Sequence, residues 1–259
     1  MRSYRGLEVD VNGDGVALVT ILGRDKVNSL DEEDHLELAE VWHDLDRESD
    51  VRAVVVTGEG RVFSAGGNLD MELRIAGDYE AVLGQLRDSR LLVKNLIECS
   101  KPVVSAINGP AAGAGLAVAL LADISIIGHE VEFTDGHTRI GIAAGDHASL
   151  IWPLLCGMAH AKRYLLTSDR LTGRQAAEIG LVSWSTDRDQ VLSDATEVAQ
   201  RLAKGPQDAI RWTKRSLNLW LQGAMPTFEA SLALEMLGLL GPDYREGLEA
   251  FAEKRPPRF

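Results

Sequence analysis

The chain opens on strict alternation. Leu7-Glu8-Val9-Asp10-Val11 sends apolar and polar side chains to opposite faces, and Val16-Ala17-Leu18-Val19-Thr20-Ile21 resumes after Asn12-Gly13-Asp14-Gly15. Two strands around strong turn chemistry predict a β-hairpin. From Asp31 to Asp46 the period becomes helical, with Leu38, Val41, Trp42 and Leu45 on one face and Ser29 or Asp31 placed to cap it. The β-branched run Arg52-Ala53-Val54-Val55-Val56-Thr57 predicts a strand buried on both faces, stopped by Gly58-Glu59-Gly60. A helix over Tyr79–Ile97 leads to another buried strand, Pro102–Ile107. A Gly/Ala-rich segment then becomes helix to Leu121, and the strand Ile124–Ile127 follows directly.

Repetition of strand, helix and strand predicts an α/β fold with a largely parallel sheet covered by helices. Beyond about residue 148 the pattern offers only one short strand, near Val182-Ser183. Helical segments are expected over Ala159–Thr167, Arg174–Glu178, Gln190–Ala203, Gln207–Leu221, Thr227–Leu239 and Tyr244–Glu253, ending at Pro256-Pro257. The chain therefore divides into a sheet-bearing core, residues 1–195, and a helical C-terminal segment, residues 196–259. The stripe Ala209, Ile210, Thr213, Leu217 and Trp220 fits ordinary core or a subunit interface.

Composition narrows the function classes. With 259 residues, 45% hydrophobic and 25% charged, the chain can bury a sizeable core, which excludes disorder. Its 39 acidic residues against 27 basic ones give a formal net charge of -12, which argues against nucleic acid and anionic membranes as partners. Cys99 ends a helical pattern and Cys156 lies in an apolar run, as packed thiols of a reducing compartment do. The longest apolar run, Leu116 to Ala122, stops at Asp123, too short for a membrane span. No apolar stretch follows Met1-Arg2-Ser3-Tyr4-Arg5, so a cytoplasmic location is expected. No His, Cys, Asp or Glu cluster has metal-ligand spacing, so no metal is expected.

Two loops carry candidate chemistry. Phe63-Ser64-Ala65-Gly66-Gly67-Asn68-Leu69 follows a buried strand, and its small residues let backbone N–H groups approach a ligand. Asn108-Gly109-Pro110-Ala111-Ala112-Gly113-Ala114-Gly115 joins a strand to a helix whose first turn offers free N–H groups. Facing each other, such donors would stabilise an oxyanion or enolate. Alone, each is equally an ordinary tight βα turn. Neither matches the dinucleotide or P-loop patterns.

Together, these segments resemble the crotonase superfamily, the enoyl-CoA hydratase/isomerase family. The resemblance also covers Lys26-Val27-Asn28-Ser29-Leu30, Ala122-Asp123-Ile124, Thr172-Gly173-Arg174-Gln175-Ala176-Ala177 and Phe251-Ala252-Glu253-Lys254-Arg255. It implies a spiral of ββα units with a helical C-terminal segment that builds trimers, often paired as hexamers. It implies oxyanion donors at the N–H groups of Gly67 and Ala114, and an acyl-CoA substrate held around Lys26, Ala65, Asn68, Leu69 and Lys254. Arg24 and Arg255 could add charge there. Coenzyme A would enter as part of the substrate, with no separate cofactor.

The family's two hydratase glutamates fall at Ala117 and His137 in this chain. Alanine transfers no proton, so two-glutamate hydration is in doubt. The stretch Phe133–Gly141 with Gly145-Asp146-His147 and Trp152-Pro153 resembles that of 6-oxocamphor hydrolase, a member that cleaves a carbon–carbon bond in a β-diketone. That likeness implies a His137–Asp146 dyad, with Glu235 as a further acid and Asp135, His147 and Arg139 nearby. A carboxylate on one imidazole nitrogen would fix the tautomer and raise the basicity of the other. Three readings follow: an acyl-CoA enzyme using His137 and Asp146, a CoA-independent 1,3-diketone hydrolase, or a non-catalytic acyl-CoA-binding subunit. The acyl pocket is expected along Met71–Leu86.

Overall fold

The computed structural model describes residues 2–259. The strands are β1 (Leu7–Val11), β2 (Val16–Ile21), β3 (Ser29–Leu30), β4 (Ala53–Gly58), β5 (Gly66–Gly67), β6 (Val103–Ile107), β7 (Ile124–Gly128), β8 (Glu132–Phe133), β9 (Leu171–Thr172) and β10 (Trp184–Thr186). The helices are α1 (Glu32–Arg47), α2 (Leu69–Ile75), α3 (Tyr79–Glu98), α4 (Gly113–Leu121), α5 (Ala148–Thr167), α6 (Gly173–Glu178), α7 (Val191–Lys204), α8 (Gln207–Leu239) and α9 (Pro242–Ala252).

Six strands form one sheet in the order β1-β2-β4-β6-β7-β10. The predicted hairpin β1/β2 is its antiparallel edge, and every later pairing is parallel. Asn12 closes the turn by accepting from the Asp14 and Val16 N–H groups. All six residues of β4 are buried, and its alternation serves two cores. Val54 and Val56 join the main core with α1, α3 and α4, while Ala53 and Val55 meet Val191, Ala195 and Val198 of α7. Two covered faces explain why β4 and β6 are mostly apolar rather than alternating.

Asp31 caps α1, accepting from the N–H groups of Glu33 and Asp34, with Asp34 reaching back in a capping box. Ser29 does not serve; its hydroxyl binds Asp25.

The structure corrects several boundaries. The segment before Ala159 is also helix, since α5 begins at Ala148 and turns sharply at Gly157 (φ 78°). Its run Ile151–Leu155 is apolar on all sides of the first turns, so no helical period shows in the sequence. The two helices expected on either side of Pro226 are one, α8. Pro226 lies on the exposed face of the helix, where the hydrogen bond that its missing N–H removes costs least. The short late strand lies at Trp184–Thr186, two residues beyond Val182-Ser183, and β9 was not anticipated. No helix among the described residues is long and apolar enough to cross a membrane.

Candidate active site

The two glycine-rich loops are zipped together. Phe63 N–H donates to Pro110 C=O at 3.0 Å, Ala112 N–H donates to Ser64 C=O at 2.9 Å, and Ser64 pairs with Ala111 in an isolated parallel bridge. Glycines permit this approach. A β-carbon on Gly66 (φ 78°) would meet Ala112 O at 2.9 Å, and one on Gly115 would meet Ser64 O at 2.7 Å.

Backbone alternation then sets the direction of the amides. Asn68 N–H is bonded to Leu30 C=O of β3 at 2.9 Å, so the preceding N–H, that of Gly67, faces away from β3. In α4 the first intrahelical bond runs from Leu116 to Ala112 at 3.2 Å, which leaves the N–H of Ala114 without a helical acceptor. Gly67 and Ala114 both line one cavity of about 450 Å³.

Histidine and carboxylate groups line the same cavity. His137 precedes a short 3₁₀ turn (Thr138–Ile140) that folds its ring back over Asp135. Its Nδ1 lies 2.9 Å from Asp135 Oδ1, while its Nε2 lies 3.5 Å from Asp146 Oδ1 and 3.9 Å from Glu235 Oε1. Asp146 is shared, since His147 Nδ1 sits 2.6 Å from the same Oδ1. Gly145 N–H donates to Glu235 Oε2 at 3.0 Å, which ties α8 to the His137 loop. The structure thus brings the expected residues His137, Asp146 and Glu235 together, with Asp146 and Glu235 near Nε2 and Asp135 on Nδ1. The three groups His137, Asp146 and Glu235 also bring their ligand atoms within 4.8 Å of one another, a juxtaposition that sequence spacing hid.

Burial and charge set the protonation of this cluster. Burial alone would depress the His137 imidazole, but Asp135, Asp146 and Glu235 together outweigh it and hold it well above the ordinary histidine value. Burial works against the Asp146 anion, yet His147 and His137 keep it below the usual carboxylate range. Glu235 is raised well above its ordinary value by burial and by the neighbouring Asp146 charge. These shifts favour the protonated forms of His137 and Glu235 and the anion of Asp146.

Two polar cavity residues were not anticipated, His35 on α1 and Tyr244 on α9, and Glu72 on α2 was foreseen only as part of the acyl stretch. His35 sits on the buried face of α1, and burial pushes it down to about 4, with Asp146 opposing. A histidine interrupting an apolar helical face was the available signal. Tyr244 gave none, because only the closure of α9 over α2 brings it to Glu72.

The expected coenzyme A contacts divide. Ala65 and Leu69 line the cavity, whereas the Asn68 side chain caps α2 by accepting from Met71 N–H at 2.8 Å. Lys26 and Lys254 are exposed. Arg24 is engaged by Asp34 at 2.7 Å and Arg255 by Glu246 and Glu253, so the charge foreseen for these arginines is already paired. The acyl stretch contributes Met71, Glu72 and Gln85 to the cavity wall.

Residues 12–259 match the family described as enoyl-CoA hydratase/isomerase. The chain belongs to that family. A relative from Rhodobacter capsulatus, described as "Probable enoyl-CoA hydratase", is 33% identical over 99% of this chain and 98% of its own length. The crystal structure of an enoyl-CoA hydratase/isomerase from Mycobacterium paratuberculosis superposes with a TM-score of 0.89 at 32% identity, covering 94% of this chain and 97% of that one. A β-diketone hydrolase from the cyanobacterium Anabaena, bound to (S)-3-oxocyclohexyl acetic acid, superposes with a TM-score of 0.85 at 26% identity, covering 92% and 95%. The architecture is thus the crotonase fold, and the chain is an enzyme of the enoyl-CoA hydratase/isomerase family. Against that family's two-glutamate pattern, Ala117 is buried in α4, outside the cavity wall.

Proposed function

We propose that the protein acts on an acyl-CoA thioester whose carbonyl oxygen sits between the N–H groups of Gly67 and Ala114, with His137 as the acid/base group. The observation that carries this reading is His137 held at 2.9 Å by Asp135 in the cavity that both amides line. With its proton removed, Nε2 can take a proton from water while the hydroxide oxygen adds to the carbonyl carbon. The tetrahedral oxyanion then rests on the two amides and collapses, breaking the bond to a thiolate or enolate. The imidazolium returns its proton to that leaving group, which balances the cycle. Asp135 fixes the tautomer, and Asp146 and Glu235 surround the other nitrogen.

Exposed Lys26 and Lys254 support a coenzyme A handle, since an acidic protein needs local positive charge to hold phosphates. Calorimetry is expected to detect binding of free coenzyme A, weakened about tenfold in Lys254→Glu. A wild-type protein with no affinity for coenzyme A would sink this reading. It would favour a second one, a CoA-independent 1,3-diketone hydrolase, which the Anabaena likeness supports.

We further propose self-association through α8, as a trimer or a pair of trimers. Leu217, Trp220, Leu234 and Leu237 expose between 61% and 74% of their surface along this helix, too much apolar area for a solvated face. Sedimentation is expected to show an oligomer, and a stable monomer at micromolar concentration would refute it.

A further inference from the structure

Glu72 is a cavity-facing carboxyl that the chemistry proposed above does not use. It projects from α2 and is closed over by α9, where Tyr244 donates its hydroxyl to Glu72 Oε2 at 2.5 Å. That leaves Oε1. A β-carbon built on Gly67 would come within 2.1 Å of this oxygen, so Oε1 rests against the α-carbon of the residue that offers the oxyanion amide. Glu72, Tyr244 and Gly67 all line the one cavity.

An ionised carboxylate in that place would oppose the function of its neighbour. A negative oxygen beside a developing oxyanion repels it, and the repulsion is screened less there than in bulk water. A protonated carboxyl does the reverse, because its O–H is a donor. The ionisable groups that face Glu72 are Tyr244 of α9, His137 and Asp146 of the central loops, and Glu32 of α1. Burial raises the Glu72 carboxyl above its ordinary value, and Asp146 and Glu32 add to this, against the opposing influence of Tyr244 and His137. Because Tyr244 donates to Oε2, the proton belongs on Oε1, the oxygen beside Gly67.

We propose that Glu72 is a third hydrogen-bond donor to the substrate carbonyl oxygen, completing the hole formed by Gly67 and Ala114. This rests on the assignment of those two amides and of His137. Tyr244 is its positioning residue. A neutral acid here adds transition-state stabilisation without placing a fixed charge in the acyl site.

The protonation state is open to measurement without any substrate. Infrared difference spectra of the whole protein, wild type against Glu72→Gln, are expected to show a protonated carboxyl band at neutral pH. Glu235→Gln serves as the control for the other buried acid whose value is raised. A carboxylate band assigned to Glu72 at that pH overturns the proposal outright. Kinetics then test the donor on a thioester that His137→Ala no longer turns over. Glu72→Ala is expected to lose about 100-fold in kcat, the scale of one oxyanion donor. Glu72→Gln, whose amide still donates, should recover most of that loss. Glu72→Ala within about threefold of wild type, below the scale expected for a single lost donor, overturns the third-donor role. So does a Gln variant no better than Ala. Full activity in His137→Ala is a separate result, and it would instead refute the underlying reading.

Discussion

Replacement of His137 by alanine is expected to lower kcat by about 100- to 10,000-fold, the range that a positioned acid/base group supplies. The fold should persist, because the ring lies on a cavity wall and outside the apolar core. Circular dichroism and a retained thermal transition check this. The pH profile carries the stronger test. Asp135, Asp146 and Glu235 surround the imidazole and raise it well above its ordinary value. A raised value means that the proton persists to higher pH, so the form able to accept a proton from water appears only above it. The wild-type kcat/KM should therefore climb with pH, with a midpoint above the roughly 6.5 of an unperturbed histidine. Asp135→Asn removes the charge 2.9 Å from Nδ1, and the midpoint should move down. A midpoint unchanged in that variant would show that a group other than His137 governs the profile.

Gly115→Ala is the second large effect. Its new β-carbon would lie 2.6 Å from Ser64 Cβ and 2.7 Å from Ser64 O, closer than such contacts allow. Because the second contact is backbone, no rotamer relieves it. The start of α4 must move away from the loop that ends in β5, and the amides of Ala114 and Gly67 separate. A loss of about 100- to 1,000-fold in kcat is expected, equivalent to removing one oxyanion donor. KM should change less, since the ground-state carbonyl uses the hole weakly. Gly13→Ala, in the hairpin turn with open space around the new methyl, is the control and should behave as wild type. Near-normal turnover in Gly115→Ala would mean that the spacing of these loops does not govern catalysis.

Much of this site was legible before any coordinates. His137, Asp146 and Glu235 were suggested by likeness to 6-oxocamphor hydrolase, and the structure places them together, Glu235 reaching Gly145 across 90 residues of chain. The internal wiring was not legible. The sequence offered Asp146 as the partner of the second imidazole nitrogen, but a 3₁₀ turn after His137 gives that nitrogen to Asp135, two residues earlier. Asp146 lies 3.5 Å from the other nitrogen, Nε2, and is shared with His147 at 2.6 Å. Such choices depend on side-chain directions set by one turn of backbone, which residue identity does not encode.

What the sequence by itself determined is local and periodic. Alternation marked the β1/β2 hairpin, short mostly apolar runs marked the buried strands β4 and β6, and a polar residue ahead of an apolar face, Ser29 or Asp31, marked the start of α1. Each of these depends on neighbours a few residues away, so each can be read from a short window. Tertiary structure decided the rest. It zipped Ser64 to Ala111 and Ala112, so that two loops 40 to 50 residues apart share one cavity. It folded α9 over α2, so that Tyr244 meets Glu72 across 172 residues. It also left Leu217 and Trp220 of α8 outside the core that their spacing suited. Long-range contacts of this kind follow from how whole faces of helices and sheets are buried, and no single segment carries that information.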